Sequence, residues 1–440
     1  MSIPLAALGP VLAVLAPLMP ALGVVGWVFY PAAVLCAVGL AIWLRPKYRL
    51  ASLASSHLRA RAGNVQDARA ERGTDDLPVA ATAYDRGVIA ISLLTLAPGQ
   101  HGGSESATIA LLRTLARSGT LPYRVLLPPT APEFGQGLPS EVVHEYHAAR
   151  TLPQRLAAMT AAAARPGPLR RHYTDADVVH YPLTIRLPAL ETPTVVTLHD
   201  VQHLDLPGLF SRGERAFRAL AYHRSAHSAQ IVIVPSEFVR DRAVERLGLD
   251  AARVRVIHHG IDHDRFSPSG QEREEFILYP ARGWAHKNHK LLLEAFAQLR
   301  VTRPGLRLVL TGGGHTETAP AGVEIRGHVS DAELVSLYRR AAVLVFPSLY
   351  EGFGQPVLEA MACGCPVASS NAASLPEVCS DAARLFDPHS AEAIAEAVAE
   401  VLDDPQPWTE RGLARAAPFT WEASAEGHEA AYRDAVAGLA

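Results

Sequence analysis

The sequence predicts an α/β protein built from two similar halves, each a parallel sheet with helices on both faces. Three observations carry this. Short apolar runs of strand length alternate with helix-periodic segments. The alternation restarts near residue 271. At 440 residues the chain is too long for one ordinary domain.

The elements follow in order. From Ile3 to Leu44 there is no charged residue and no histidine. About 20 apolar residues cross a bilayer, so 1–44 is read as transmembrane. "PLMPALG" interrupts it, which leaves two readings open: a helical hairpin, or one span at 24–44 behind a shallow segment. Residues 45–83 are a basic flank and a polar linker. Arg45, Lys47, Arg49, Arg59 and Arg61 with no acid between them place this flank, and all that follows, on the cytoplasmic side. The expected location is therefore the cell membrane, with the catalytic domains cytoplasmic.

Residues 84–270 form the first half. Its strands are "GVIAISLLTLAPG", "YRVLLP", "DVVHYP", "PTVVTLHD", "AQIVIVPS" and "RVRVIHHGID"; "SATIALLRTLARSG" and "SRGERAFRALAYHRSAHSA" are helical. Residues 130–172 have no readable motif. The second half, 271–415, runs through "EFILYP", a helix stopped by Pro304, "LRLVLTGGG", "VEIRGHV", "DAELVSLYRRA", "AVLVFPS", "CPVASS" and a helix around 390–403. A closing helix occupies 416–440. Doubly wound sheets bind ligands at the C-terminal ends of their strands, and two facing halves make a cleft.

Composition narrows the function. The net charge of -3 gives no reason to expect a nucleic-acid partner. Cys36, Cys363, Cys365 and Cys379 lack the spacing of a redox or zinc pair and read as reduced thiols. The histidines at 258, 259, 286 and 289 make no helical i, i+4 ligand set, and the Asp-x-Asp pairs at 175–177 and 262–264 are poorly placed for a metal, so none is assigned.

Chemistry-bearing residues gather at the strand ends. "EGFGQPVLE" puts Glu351 before a glycine turn and Glu359 just inside a helix, with Pro356 suited to its first position. The free N–H groups of such a turn bind phosphate or sugar hydroxyls, and carboxylates accept hydrogen bonds from vicinal hydroxyls. "RGWAHKNHK" supplies Arg282 and Lys287, two cations suited to a diphosphate. Gly102 and Gly103 in "GQHGGSES" form a second backbone cradle. It is not the dinucleotide fingerprint, which disfavours an oxidoreductase. His199 and Asp200 close a strand on the cleft edge.

Together, "EGFGQPVLE", "RGWAHKNH", "GGSE", "TLHD", "VPSEFVRD", "VIHHGIDHDRF" and "SLPEV" resemble, in identity and order, the elements of family 4 retaining glycosyltransferases. The resemblance spans about 85–440 and implies the GT-B fold: two Rossmann-like domains facing a cleft, an acceptor half and a donor half, and a C-terminal helix crossing back to the first. It implies that Arg282 and Lys287 hold the diphosphate of a sugar nucleotide and that Glu351 binds the transferred sugar. The backbone of Phe353 and Gly354 would orient that sugar, and Glu359 would bind ribose. Gly103, next to Gly102, would approach the phosphate, His199 would lie near the reacting carbon, and the base would rest on 326–330 around Val329. Trp284 and Ala285 depart from the smaller aliphatic or polar residues usual there. The expected reaction is retaining transfer of a hexose, with mannose favoured, from GDP-mannose or a UDP-hexose to a lipid-linked or glycan acceptor, with no metal required. A sugar-nucleotide epimerase, a glucan synthase or a catalytically silent scaffold in polysaccharide assembly remain alternatives.

Overall fold

The computed structural model describes residues 87–100, 102–147, 151–314 and 319–439. The transmembrane reading of 1–44 and the flank and linker at 45–83 lie outside the described residues. Among those described, no helix is long and apolar enough to cross a membrane.

Apolar runs too short for helices pair edge to edge and are covered on both faces. In the first half these are β1 (Val88–Ser92), β2 (Tyr123–Leu127), β3 (Ser140–Val142), β4 (Ala176–Tyr181), β5 (Thr194–Thr197), β6 (Ile231–Val234) and β7 (Val254–Val256). They form a seven-stranded sheet in the order β3-β2-β1-β4-β5-β6-β7, and each of its strand pairs is parallel. The helices are α1 (Gly103–Ser118), α2 (Leu152–Ala164), α3 (Gly167–Arg170), α4 (Gln202–Asp205), α5 (Arg212–Ser228) and α6 (Glu237–Leu247). Ser211 and Ser236 cap α5 and α6 by accepting the N–H of Glu214 and Val239. β3, α2 and α3 fall in the stretch without a readable motif, because their short or Ala-rich sequences carry little periodicity.

The second sheet has the order β10-β9-β8-β11-β12-β13. Its strands are β8 (Glu274–Pro280), β9 (Arg307–Thr311), β10 (Val323–Gly327), β11 (Ala341–Phe346), β12 (Val367–Ser370) and β13 (Arg384–Phe386). Helices α7 (His289–Thr302), α8 (Asp331–Arg340), α9 (Gln355–Ala362), α10 (Leu375–Cys379), α11 (Ala391–Asp403) and α12 (Gln406–Ala416) surround it. Both orders reverse direction beside the first strand of their half, which opens a crevice at the strand ends. Cys363, Cys365 and Cys379 are buried free thiols.

The chain changes core earlier than the boundary at 270. Ile257 packs in the first core, while Ile261 and Phe266 already belong to the second. It returns between Phe419, in the second core, and Trp421, in the first. Thr420 forms a parallel bridge to Ile261 at this crossing. The last helix, α13 (Trp421–Ala437), then lies against α1 and β4–β6.

Polar groups fix α13 there. Glu429 accepts hydrogen bonds from the Thr120 N–H and the Tyr123 hydroxyl, both at 2.5 Å. The Tyr432 hydroxyl is 2.8 Å from Nδ1 of fully buried His180, whose Nε2 meets Thr197. His428 donates from Nδ1 to the Ser424 carbonyl. Burial holds His180 and His259 well below the usual histidine range and lowers His428 to about 4. Unfolded, these side chains take up protons below about pH 6.5; folded, they do not. The unfolded state thus binds more protons, so stability falls as pH drops through 6.5, and the contribution of His428 levels off near pH 4. The expected loss is about 1.4 kcal/mol per pH unit for each histidine. Urea unfolding at pH 7, 6 and 5 checks this, and a flat profile refutes it.

Candidate functional site

The site begins with the loop after β8. Asn288, in the left-handed region at φ 61, ends that loop and starts α7. Its amide donates to the Pro347 and Pro388 carbonyls at 3.1 and 2.7 Å. The Leu349 N–H donates to the His286 carbonyl, and the Tyr279 hydroxyl donates to that of Lys287. The loops after β8 and β11 are thereby tied together, and Lys287 Nζ comes to lie 2.5 Å from Oε1 of Glu351. Their side chains are 13% and 14% exposed. Such a pair is worth more than a surface one, because water screens it less.

The turn after Glu351 is held as firmly. Ser374 donates one hydroxyl to both the Glu351 and Phe353 carbonyls. Gly354 adopts φ 111, a conformation that a side chain resists, and begins α9. Pro356 stands at the second position of α9, not the first. Glu359 is its fifth residue, in the second turn rather than at the entrance.

Across the cleft, the β1–α1 loop brings Gly102 and Gly103 to the start of α1. Glu105 closes this loop by accepting the Gly99 N–H on both carboxylate oxygens at 2.9 Å. Arg282 reaches over from the second half and donates to the Gly99 carbonyl at 3.2 Å. Trp284 follows it: a Cβ on Gly102 would stand 3.2 Å from the indole, so only glycine leaves that edge free.

His199 donates from Nε2 to the Pro182 carbonyl, which fixes its tautomer and leaves Nδ1 without that proton. Burial lowers its basicity. His286 is held near 4 by burial and by the Lys287 charge. Both are neutral rings in a cleft whose cations are Arg218, Arg282 and Lys287.

These loops enclose a cavity of about 740 Å³ between the halves. It is lined by Gly102, Gly103, His199, Arg282, Lys287, Glu351, Phe353 and Gly354. The remaining two candidates stand outside its wall. Val329 lies beyond β10. Glu359 accepts a 3.1 Å hydrogen bond from Tyr338, and burial, opposed by that bond, raises its carboxyl to about 7. Neither Asp-x-Asp pair lines the cavity, and among the described residues no three metal-ligating side chains cluster. The first half adds Leu209, Phe210, Glu214, Arg218 and Tyr222 to the wall. These were not legible in the sequence, because nothing in a helix pattern tells which exposed face meets a cleft.

Two facing parallel-sheet domains, a cleft lined by both and a last helix crossing back define the GT-B class of fold. The comparisons agree. Residues 101–265 match the Glycosyltransferase Family 4 model and residues 261–416 match that of glycosyl transferases group 1, the two meeting where the chain changes core. The chain is 31% identical to the O-antigen chain mannosyltransferase B of Escherichia coli over 273 residues, 56% of this chain and 71% of that protein. It is 27% identical to the D-inositol 3-phosphate glycosyltransferase of Mycolicibacterium smegmatis over 65% of this chain and 73% of the other. Among solved structures, sucrose-phosphate synthase from Thermosynechococcus elongatus superposes with a TM-score of 0.66 at 22% identity, covering 79% of this chain and 99% of that one, which supports the fold. The chain belongs to the family 4 glycosyltransferases and is an enzyme of glycosyl transfer.

Proposed function

We propose that the protein moves a hexose, with mannose favoured, from a nucleoside-diphosphate sugar to a lipid-linked or glycan acceptor at the cytoplasmic face of the membrane, with retention of anomeric configuration. One observation carries this reading: Arg282, Lys287 and Glu351 converge on a cavity that both halves line. The favoured sugar rests on the name of the Escherichia coli relative. The membrane rests on the apolar run 3–44 and its basic flank.

Cleavage of the donor makes an oxocarbenium-like sugar and a diphosphate. Arg282, Lys287 and the N–H groups at the start of α1 stabilise the negative side. Glu351 and the backbone around Phe353 and Gly354 hold the sugar. The resemblance gives the ribose to Glu359 and the base to 326–330, both beyond the wall of the cavity described above. A double displacement needs a carboxylate on the face of the anomeric carbon opposite the phosphate. In this reading Glu351, paired with Lys287 at 2.5 Å, holds the sugar hydroxyls and does not attack the anomeric carbon. The scheme is therefore the front-side attack that the family resemblance implies, with the departing phosphate oxygen accepting the acceptor's proton. No metal takes part in this scheme.

The test is donor hydrolysis and transfer across GDP- and UDP-hexoses, with product anomers read by proton NMR. GDP-mannose turnover with retention is expected; no turnover of any donor overturns the reading. Glu351→Gln should keep partial activity. A near-total loss in Glu351→Gln, together with a glycosyl adduct on Glu351 in the intact mass of the wild-type enzyme, would replace front-side attack by a covalent route.

A further inference from the structure

The loop that carries Glu351 is gripped from the first half on both sides of that residue. Before it, the Tyr350 hydroxyl donates to Oδ2 of Asp205 at 3.1 Å. After it, the Gly352 carbonyl accepts from the Ser236 hydroxyl at 2.7 Å, and Gly352 sits so close to the His199 carbonyl that a Cβ there would stand 2.1 Å from its oxygen.

Asp205 is itself a built anchor. It ends α4, the short helix that follows His199 and Asp200. Arg242 donates to both of its oxygens at 3.2 and 3.0 Å, and Arg246 adds a third bond at 2.8 Å. Its side chain is 12% exposed. Two guanidiniums from α6 thus fix the carboxylate before Tyr350 arrives. Burial works against its charge, but the arginine hydrogen bonds more than offset that and hold it below the usual carboxylate range. Tyr350 is buried, its ring edge-on to Phe238 of α6 at 5.4 Å. Tyr350 is thus a second-half residue whose ring and hydroxyl both seat in the first half.

We infer that Asp205 and Tyr350 form an interdomain latch that adds to the ties within the second half and completes the positioning of Glu351 when the two halves are closed on each other. Tyr350 borders the cavity, but its hydroxyl is committed to Asp205, so it is a positioning residue that acts through the one peptide unit separating it from Glu351. Closure thereby delivers the sugar-binding carboxylate as well as excluding water. The diphosphate-binding cations sit on a different loop, so the donor can bind the open enzyme without the latch.

The inference rests on the glycosyltransferase reading of Glu351, and its failure is separable from the failure of that reading. If the wild-type chain turns over no nucleotide sugar, the reading fails. Given a working wild type, Tyr350→Phe removes only the hydroxyl and leaves Asp205 with Arg242 and Arg246. Its kcat for transfer should fall about tenfold, the scale of a small misplacement of a reacting group. The dissociation constant for free GDP or UDP, by calorimetry, should stay within about twofold. Asp205→Asn should give the same split and at least as large a loss, since it also weakens the bonds to Arg242 and Arg246, and the double variant should be no worse than Asp205→Asn, since both changes remove the shared Tyr350–Asp205 contact. A kcat for Tyr350→Phe within about twofold of wild type overturns the latch. So does a loss of nucleotide affinity matching the loss of rate, or fully additive effects in the double variant.

Discussion

Replacing Lys287 with alanine is expected to reduce transfer about 10²–10³-fold in kcat, the scale seen when one preorganised charge-stabilising donor is removed from an active site. Two effects combine. The departing diphosphate loses a cation. Glu351, with a side chain only 14% exposed, also loses its ion-pair partner. A buried carboxylate without its partner is costly, about 3–5 kcal/mol in the fully buried case and less here. The variant should therefore melt at a lower temperature, and Glu351 should stray from the sugar position. Lys287→Arg should recover only part of the rate, because a planar guanidinium does not fit where a point charge bonds one oxygen. Steady-state kinetics with the preferred donor and thermal unfolding measure both. A Lys287→Ala enzyme with a kcat within about tenfold of wild type removes Lys287 from the catalytic set.

The second large effect is steric. A Cβ on Gly352 would stand 2.1 Å from the His199 carbonyl oxygen. Backbone lies on both sides of that contact, so no side chain can swing away. Gly352→Ala has to part the two halves, and a displacement of about 1 Å at the reacting groups costs about 10²-fold in rate. Each half keeps its own core, so the melting temperature should change little. Binding of free GDP or UDP should survive as well, because Arg282 and Lys287 lie on another loop. Transfer kinetics, nucleotide calorimetry and melting on one preparation separate these expectations. Unchanged kcat in Gly352→Ala shows that the halves need not meet here during turnover.

Trp284 shows how the cleft differs from the resemblance that led to it. The sequence marks it as larger than usual at its position. The structure gives it a place: it stacks toward the Arg282 guanidinium, 5.4 Å from its ring centre, and closes on the edge left open by Gly102.

The sequence by itself determined the two-half architecture. Apolar runs of strand length and helix-periodic segments are local patterns, and burial on both faces leaves them little freedom. It also determined most of the candidate residues, since Arg282, Lys287, Glu351, Phe353 and Gly354 stand at fixed spacing on loops that leave strand ends. Only the tertiary structure decided what meets what. The Lys287–Glu351 pair joins residues 64 apart, held by the amide of Asn288, whose acceptor carbonyls on Pro347 and Pro388 lie in other segments. Asp205, Ser236, Glu377 and Gln355 tie the halves together: Glu377 caps the start of α6 through the N–H groups of Glu237 and Phe238, and Gln355 donates to Gly260. Glu359 reads from sequence as a companion of Glu351, yet it lies one turn deeper and bonds Tyr338. The physical reason is common to these cases. Local sequence sets which atoms a loop can offer, but an interdomain contact depends on how two separately folded sheets face each other, and that information is spread over every residue between them.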